Sequence, residues 1–439
     1  MSRIPQPRPE KNAAAGREDI ETSGEAFPDG TMLELIRDEA GATSLLRWDG
    51  NSATISKSFE VNGKVYRPLQ LHPTIVRALR LPRHITPYGS TRDLFNDLCK
   101  VLTDYTDVAE QDASLMAYSI LGSCLVDRLL VAPFVSIVAP VGAPRAQLFR
   151  LLSSLCRRPL IVAEATPAAL SSLSSMRPTF LFDEPNLSRR AERLLYATNS
   201  SGRFVFRNER MMGVFSAKVI CSREPLRDPS LASQALQVTL SASGRQVPFL
   251  EDFVSEQIAD EFQPKLLQYR LTKFSTVRTP PIDVSELTAP MQDLARALAT
   301  CVADDEELQL GVVQLLRERD QEVRVDPSTE LGSVVLEGLL FCCHTRGRSQ
   351  VLCGELADIV NTMWTKRGEG RQTTPESVGW KLRALQLRTE AIDGAGKGLR
   401  LTEAARARIH SLARVYRVPS LQQVVQEECA HCQSAFGNR

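Results

Sequence analysis

The chain has 439 residues, with 53 Lys and Arg against 52 Asp and Glu, a net charge of +1. Its 43% hydrophobic and 24% charged residues match ordinary globular protein, which excludes a collagen, a wholly disordered chain and a disulfide mini-protein. Roughly 100–200 residues per domain gives two to four domains, and the neutral total argues against a wholly basic nucleic-acid binder but not against a basic module offset elsewhere.

Ten cysteines are too sparse for a disulfide scaffold, so reduced, mostly buried thiols in a cytoplasmic protein are expected. The first nine residues lack the apolar run of a secretory signal. The most apolar stretch, 129–142, is interrupted by Pro133 and Pro140 and is shorter than the roughly 20 residues of a membrane span, so no membrane partner is expected.

In chain order, residues 1–28 read as a disordered leader, and 29–90 as a small β-rich domain. Asp49-Gly50 and Asn62-Gly63 are hairpin turn signals within a meander over 45–69, and 32–39 is expected to be helical. Helices are expected over 91–130, the first capped by Ser90 or Thr91. From Phe134 strands alternate with helices: strands over 134–138, 159–163, 179–182 and 217–221, helices over 146–155, 167–175 and 189–197, and a hairpin over 204–215. Such alternation predicts an α/β core over 91–280 with a parallel sheet. A helical linker is expected over 281–330. Residues 331–417 read as three helices, a Gly-rich β-ribbon and a last helix, the pattern of a winged helix-turn-helix, with a tail over 418–439.

A strand running into a loop that opens a helix is where phosphate binds, because free helix N–H groups and the dipole favour an anion. The working loop is G-x-x-x-x-G-K-[ST], whose Lys meets phosphate and whose hydroxyl meets Mg²⁺. Here Ala139-Pro140-Val141-Gly142-Ala143-Pro144-Arg145-Ala146 stands in its place. Ala139 and Pro144 replace the glycines, Arg145 keeps a charge, and Ala146 has no oxygen for a metal. Gly142 and Arg145 remain as nucleotide-binding candidates. The second strand, Thr179-Phe180-Leu181-Phe182-Asp183-Glu184, has the Walker B form, in which Asp supports Mg²⁺ and Glu orients water. The alternative for Asp183 and Glu184 is a solvated strand end.

These stretches, with Leu81-Pro82-Arg83, Tyr88-Gly89-Ser90-Thr91, Cys156-Arg157-Arg158-Pro159-Leu160 and Leu382-Arg383-Ala384-Leu385, resemble the primase-helicase-like P-loop ATPases of phages, plasmids and integrated elements. The resemblance runs from about Tyr66 to Arg417. It implies an AAA-like or superfamily-three-like core, ATP and Mg²⁺ as cofactors, a homo-oligomer, and a C-terminal module that binds DNA. It also implies a sensor role for Ser222, and it places Gln234 where the family carries an arginine. The altered loop makes a degenerate ATPase core the first reading. The others are an active ATP-dependent DNA translocase and a regulatory scaffold.

Residues 365–417 hold 12 bases and five acids, a local charge of +7 against −6 for the rest. Such an excess is the footprint of a phosphate-binding face. The recognition-helix candidate spans 375–387, with Ser377, Lys381, Arg383 and Arg388 as DNA contacts and Lys397 and Arg400 on the wing. Trp380 is expected to be a core or boundary aromatic. Arg203, Arg207 and Arg210 form a second basic cluster on the hairpin after the Walker B strand. Cys429-Ala430-His431-Cys432 offers two or three zinc ligands, but no second half lies nearby in sequence; Cys342-Cys343-His344 would require a long fold-back, and His410 stands alone. No metal site is therefore expected.

Overall fold

The computed structural model of the protein describes residues 19–139, 142–183, 189–207, 210–213, 215–223, 226, 229–240, 247–323, 331–392, 394, 396–415, 418 and 429–432. The chain forms two compact units, 1–321 and 322–439. The expected α/β class holds: the first unit contains a β-rich module and a parallel sheet flanked by helices, and the second combines helices with a small antiparallel sheet.

The first unit opens with β1 (Asp19–Thr22), β2 (Gly24–Ala26), β3 (Met32–Arg37), β4 (Thr43–Trp48), β5 (Ala53–Ser56), β6 (Phe59–Val61), β7 (Lys64–Pro68) and α1 (Pro73–Ala78). They form two sheets, β2-β3-β4-β5 and β1-β7-β6. The Asn62-Gly63 signal is a two-residue turn between Val61 and Lys64, with φ of 53° and 76°, as a type I′ hairpin requires. Two expectations fail here. Residues 19–26 are paired strands rather than leader, since β1 runs parallel to β7, a long-range pairing that local patterning does not reveal. Residues 32–37 are a strand rather than a helix. Both faces of β3 are buried, Leu33 and Leu35 on one side and Met32 and Ile36 on the other, so the polar alternation that marks a strand is missing.

Next come α2 (Thr91–Tyr105) and α3 (Glu110–Cys124). Ser90 and Asp93 close a reciprocal capping box that starts α2. The core then follows as β8 (Phe134–Val138), α4 (Arg145–Leu155), β9 (Pro159–Val162), α5 (Pro167–Ser172), β10 (Thr179–Asp183), α6 (Arg189–Ala197), β11 (Phe204–Arg207), β12 (Arg210–Gly213), β13 (Lys218–Ser222), α7 (Pro229–Ala232) and β14 (Leu236–Thr239). Five strands make an all-parallel sheet in the order β14-β8-β13-β10-β9. Alternate side chains sort to two faces. Val135, Ile137, Leu181, Val219, Cys221 and Val238 pack with α2, α3 and α4, while Phe134, Leu160, Phe180, Phe182 and Ile220 pack with the β-rich module. Three helices complete the unit: α8 (Asp252–Lys273), α9 (Ala289–Cys301) and α10 (Glu306–Val323).

A buried ionic cluster ties these layers together. Glu34 of β3 is 2% exposed. It accepts hydrogen bonds from Arg157 (3.1 Å), Arg158 (2.7 Å) and Arg270 of α8 (2.5 Å). Arg270 also grips Asp127 through two bonds of 2.7 and 2.6 Å. Burial opposes ionisation of Glu34, but Arg157, Arg270 and Arg158 outweigh it and hold the carboxyl down at about 2. Lys218, at the start of β13, is 1% exposed and donates to Asn199 Oδ1 at 2.7 Å. Burial lowers its pKa to about 7.

The second unit contains α11 (Leu331–His344), β15 (Gln350–Leu352), α12 (Cys353–Lys366), α13 (Pro375–Ala384), β16 (Glu390–Ile392), β17 (Gly396–Arg400) and α14 (Glu403–Val415). Thr374 caps α13 by accepting from the Ser377 N–H at 3.3 Å. The first strand of the unit pairs with the last, giving the order β15-β17-β16. Val335, Leu339, Leu356, Val360, Leu382, Leu399 and Ile409 form its core.

Candidate functional site

In a parallel sheet, ligands bind outside the carboxyl ends of the strands. β8 and β10 end there with β13 between them. Register aligns Val138 with Ser222, and Asp183 with Cys221, so the loop after β8, Ser222 and Asp183 share one edge. The Ala139 N–H donates to Ser222 O at 2.8 Å and fixes the loop exit.

The loop departs from a phosphate cradle at Pro144, Arg145 and Ala146. Pro140 and Val141 lie outside the described residues. Gly142 has φ 92°, a left-handed conformation that suits glycine, and a Cβ there would meet open space. Pro144 precedes α4 with no N–H to offer. The Arg145 N–H turns back onto Ala143 O at 2.8 Å, so it is not directed at an anion. The Arg145 guanidinium lies 3.6 Å from Asp183 Oδ1. Arg145 and Asp183, the two candidates named from the sequence, thus face each other across the strand ends. Ala146 supplies no hydroxyl, and Gln147 donates to Tyr105 O and Pro248 O, both at 2.7 Å. These residues do not fit a magnesium nucleotide.

Glu184 lies outside the described residues. Arg207 and Arg210 pair directly across the β11–β12 hairpin, and Arg203, just before it, is exposed and lies over the Tyr196 ring at 5.9 Å. Gln234 follows α7 with its N–H bonded to Leu231 O.

In the second unit, Val378 and Leu382 turn α13 inward, while Ser377, Arg383 and Trp380 face outward. Trp380 is 70% exposed, which corrects the expectation of a core or boundary aromatic, and Arg383 stacks on it at 5.3 Å. Its isolation in sequence between Gly379 and Lys381 gave no packing signal. Arg383, Lys397 and Trp380 line one groove together with Glu355 and Glu376. Arg388 is exposed and Lys381 half-buried. Arg400 is ion-paired with Glu390 across the ribbon. Two of the twelve bases are structural: Arg406 donates to backbone carbonyls of Leu401, Cys343 and Arg348, and Arg367 bonds Glu337 at 2.5 Å. Among the described residues, no helix is long and apolar enough to cross a membrane.

No protein-family model and no curated protein matches the sequence. Several solved structures are similar to the chain at low scores. The apo C-terminal region of NrS-1 is 12% identical, covers 84% of this chain and 96% of its own, and gives a TM-score of 0.38. A full-length MCM homolog from Methanopyrus kandleri is 12% identical, covers 68% of this chain and 75% of its own, and gives 0.36. Scores this low carry no argument about function.

Proposed function

We propose that this is a DNA-binding protein built on a P-loop-type core that does not turn over ATP. The order helix, strand, helix, helix, strand, strand in the second unit, with its first strand on its last, matches a winged helix-turn-helix. In that arrangement α13 is the recognition helix. The observation that carries the reading is the outward Trp380–Arg383 stack beside Lys397. An exposed aromatic and a guanidinium can meet bases or sugars, while the lysine meets phosphate. The Arg145–Asp183 pair supports the second half of the reading, because phosphoryl transfer needs both groups free for the nucleotide and its metal. Oligomerisation and the Arg203 hairpin as a further DNA contact belong to the same proposal.

A duplex shift assay at low salt tests the first half. Arg383→Glu with Lys397→Glu is expected to weaken binding about tenfold or more, with a shallower salt dependence. Unchanged affinity would remove the assignment. Titration with a fluorescent ATP analogue, with and without Mg²⁺, tests the second half. Saturable Mg²⁺-dependent binding that Asp183→Asn abolishes would restore a working nucleotide site.

A further inference from the structure

We propose that the second unit holds a structural Zn²⁺ ion on His344, His410, Cys429 and Cys432. The four ligand atoms lie within 4.8 Å of one another. His344 Nε2 and His410 Nε2 are 3.2 Å apart, Cys432 Sγ is 3.2 Å from His344 Nε2, and Cys429 Sγ is 3.6 Å from His410 Nε2. Zinc bonds of about 2.0–2.1 Å to nitrogen and about 2.3 Å to sulfur set tetrahedral ligand edges of about 3.3–3.8 Å. The observed spacings bracket that size without rearrangement of the fold.

The surroundings support a metal over a chance meeting of side chains. His410 Nδ1 lies 2.7 Å from Arg406 O, so its N–H donates there and Nε2 presents a lone pair to the centre. Arg406 is itself fixed by three backbone carbonyls, which holds that carbonyl in place. Two imidazole nitrogens facing each other at 3.2 Å in a partly buried space need a shared proton or a cation between them. Two thiolates, two neutral imidazoles and Zn²⁺ sum to zero charge, the balance that a buried site tolerates. His410 and Cys432 are buried.

The ligands also explain the topology. His344 ends α11, His410 lies within α14, and Cys429 and Cys432 belong to the chain beyond α14. One ion therefore staples that last segment to two core helices. Four protein ligands leave no open position, which marks a structural rather than a catalytic metal.

The test uses the full chain, untagged, purified from zinc-supplemented medium without chelator. Elemental analysis is expected to find one zinc per chain. Replacement with Co²⁺ should give tetrahedral d–d absorption and a two-thiolate charge-transfer band. Cys432→Ser should lose the metal. Because that variant can also fail to fold, Cys429→His serves as the second probe: it keeps four ligands, so it should retain the metal while the charge-transfer band falls by half. His431→Gln should change neither, since His431 bonds Glu403 at 3.0 Å and lies outside the set. Zinc well below one per chain, a Cys429–Cys432 disulfide in its place, or a cobalt band unaltered by Cys429→His would overturn the proposal.

Discussion

The two ends of the parallel sheet treat charge in opposite ways. Before the strands begin, Glu34, Arg157, Arg158, Arg270 and Asp127 are sealed from water and meet through short hydrogen bonds. Where the strands end, Arg145 and Asp183 form a looser 3.6 Å pair with partial exposure. The first arrangement is over-determined, since each carboxylate faces more than one guanidinium. The second is a longer contact between side chains that are only partly covered. Buried charge in this protein is architecture, whereas the charged side chains at the strand ends keep partial access to water.

The comparison is broken most strongly at Glu34. Glu34→Gln leaves three buried guanidinium groups facing Asp127 alone, and the expected loss is about 3–5 kcal/mol in denaturant unfolding of the full chain. Its pH dependence has a defined sign. The folded-state pKa lies near 2 against an ordinary 4.5, so the stabilisation is complete above pH 4.5 and disappears as pH falls toward 2. Unfolding midpoints across that window should fall for the native chain and change less for Glu34→Gln.

Lys218 gives a second contrast at the same end of the sheet. Its pKa is lowered from 10.5 to about 7, so its cost to folding is fully present below pH 7 and is relieved as pH rises to 10.5. The native chain should therefore gain on Lys218→Met across that range by on the order of 5 kcal/mol. A stability difference independent of pH would show that Lys218 is neutral by other means or not buried in solution.

The smallest effect belongs to the open edge. Asp183→Asn should shift stability by less than about 1 kcal/mol, because it removes one partly exposed ion pair. A loss as large as that of Glu34→Gln would erase the distinction between the two ends.

Much of the core was readable in the sequence because its strands are apolar runs of four to five residues that end at a turn or polar residue. The boundaries at Phe134–Val138 and Arg189–Ala197 coincide with expectation. β14 was not anticipated, since Leu236-Gln237-Val238-Thr239 is short and follows no turn signal. β15 escaped for the same reason. At the candidate nucleotide edge, the residue substitutions were visible in sequence, but the ion pair between Arg145 and Asp183 was not, because only folding brings positions on separate strands together. The Glu34 cluster left no mark in the sequence for the same cause. The Cys429–Cys432 spacing hinted at a metal, while its partners stand far back along the chain, with His344 88 positions before Cys432.

That long reach has a consequence for how the molecule is made. Glu34 and Arg270 are separated by 236 positions. At roughly 5–20 residues per second, synthesis delivers the arginine on the order of ten to fifty seconds after the glutamate. Until then β3 cannot bury its carboxylate on the α8 side against a full set of cations. Strands β1–β7 leave the ribosome well before α8, yet they are among the last to be locked, and a nascent chain stopped before α8 should remain open to protease within them.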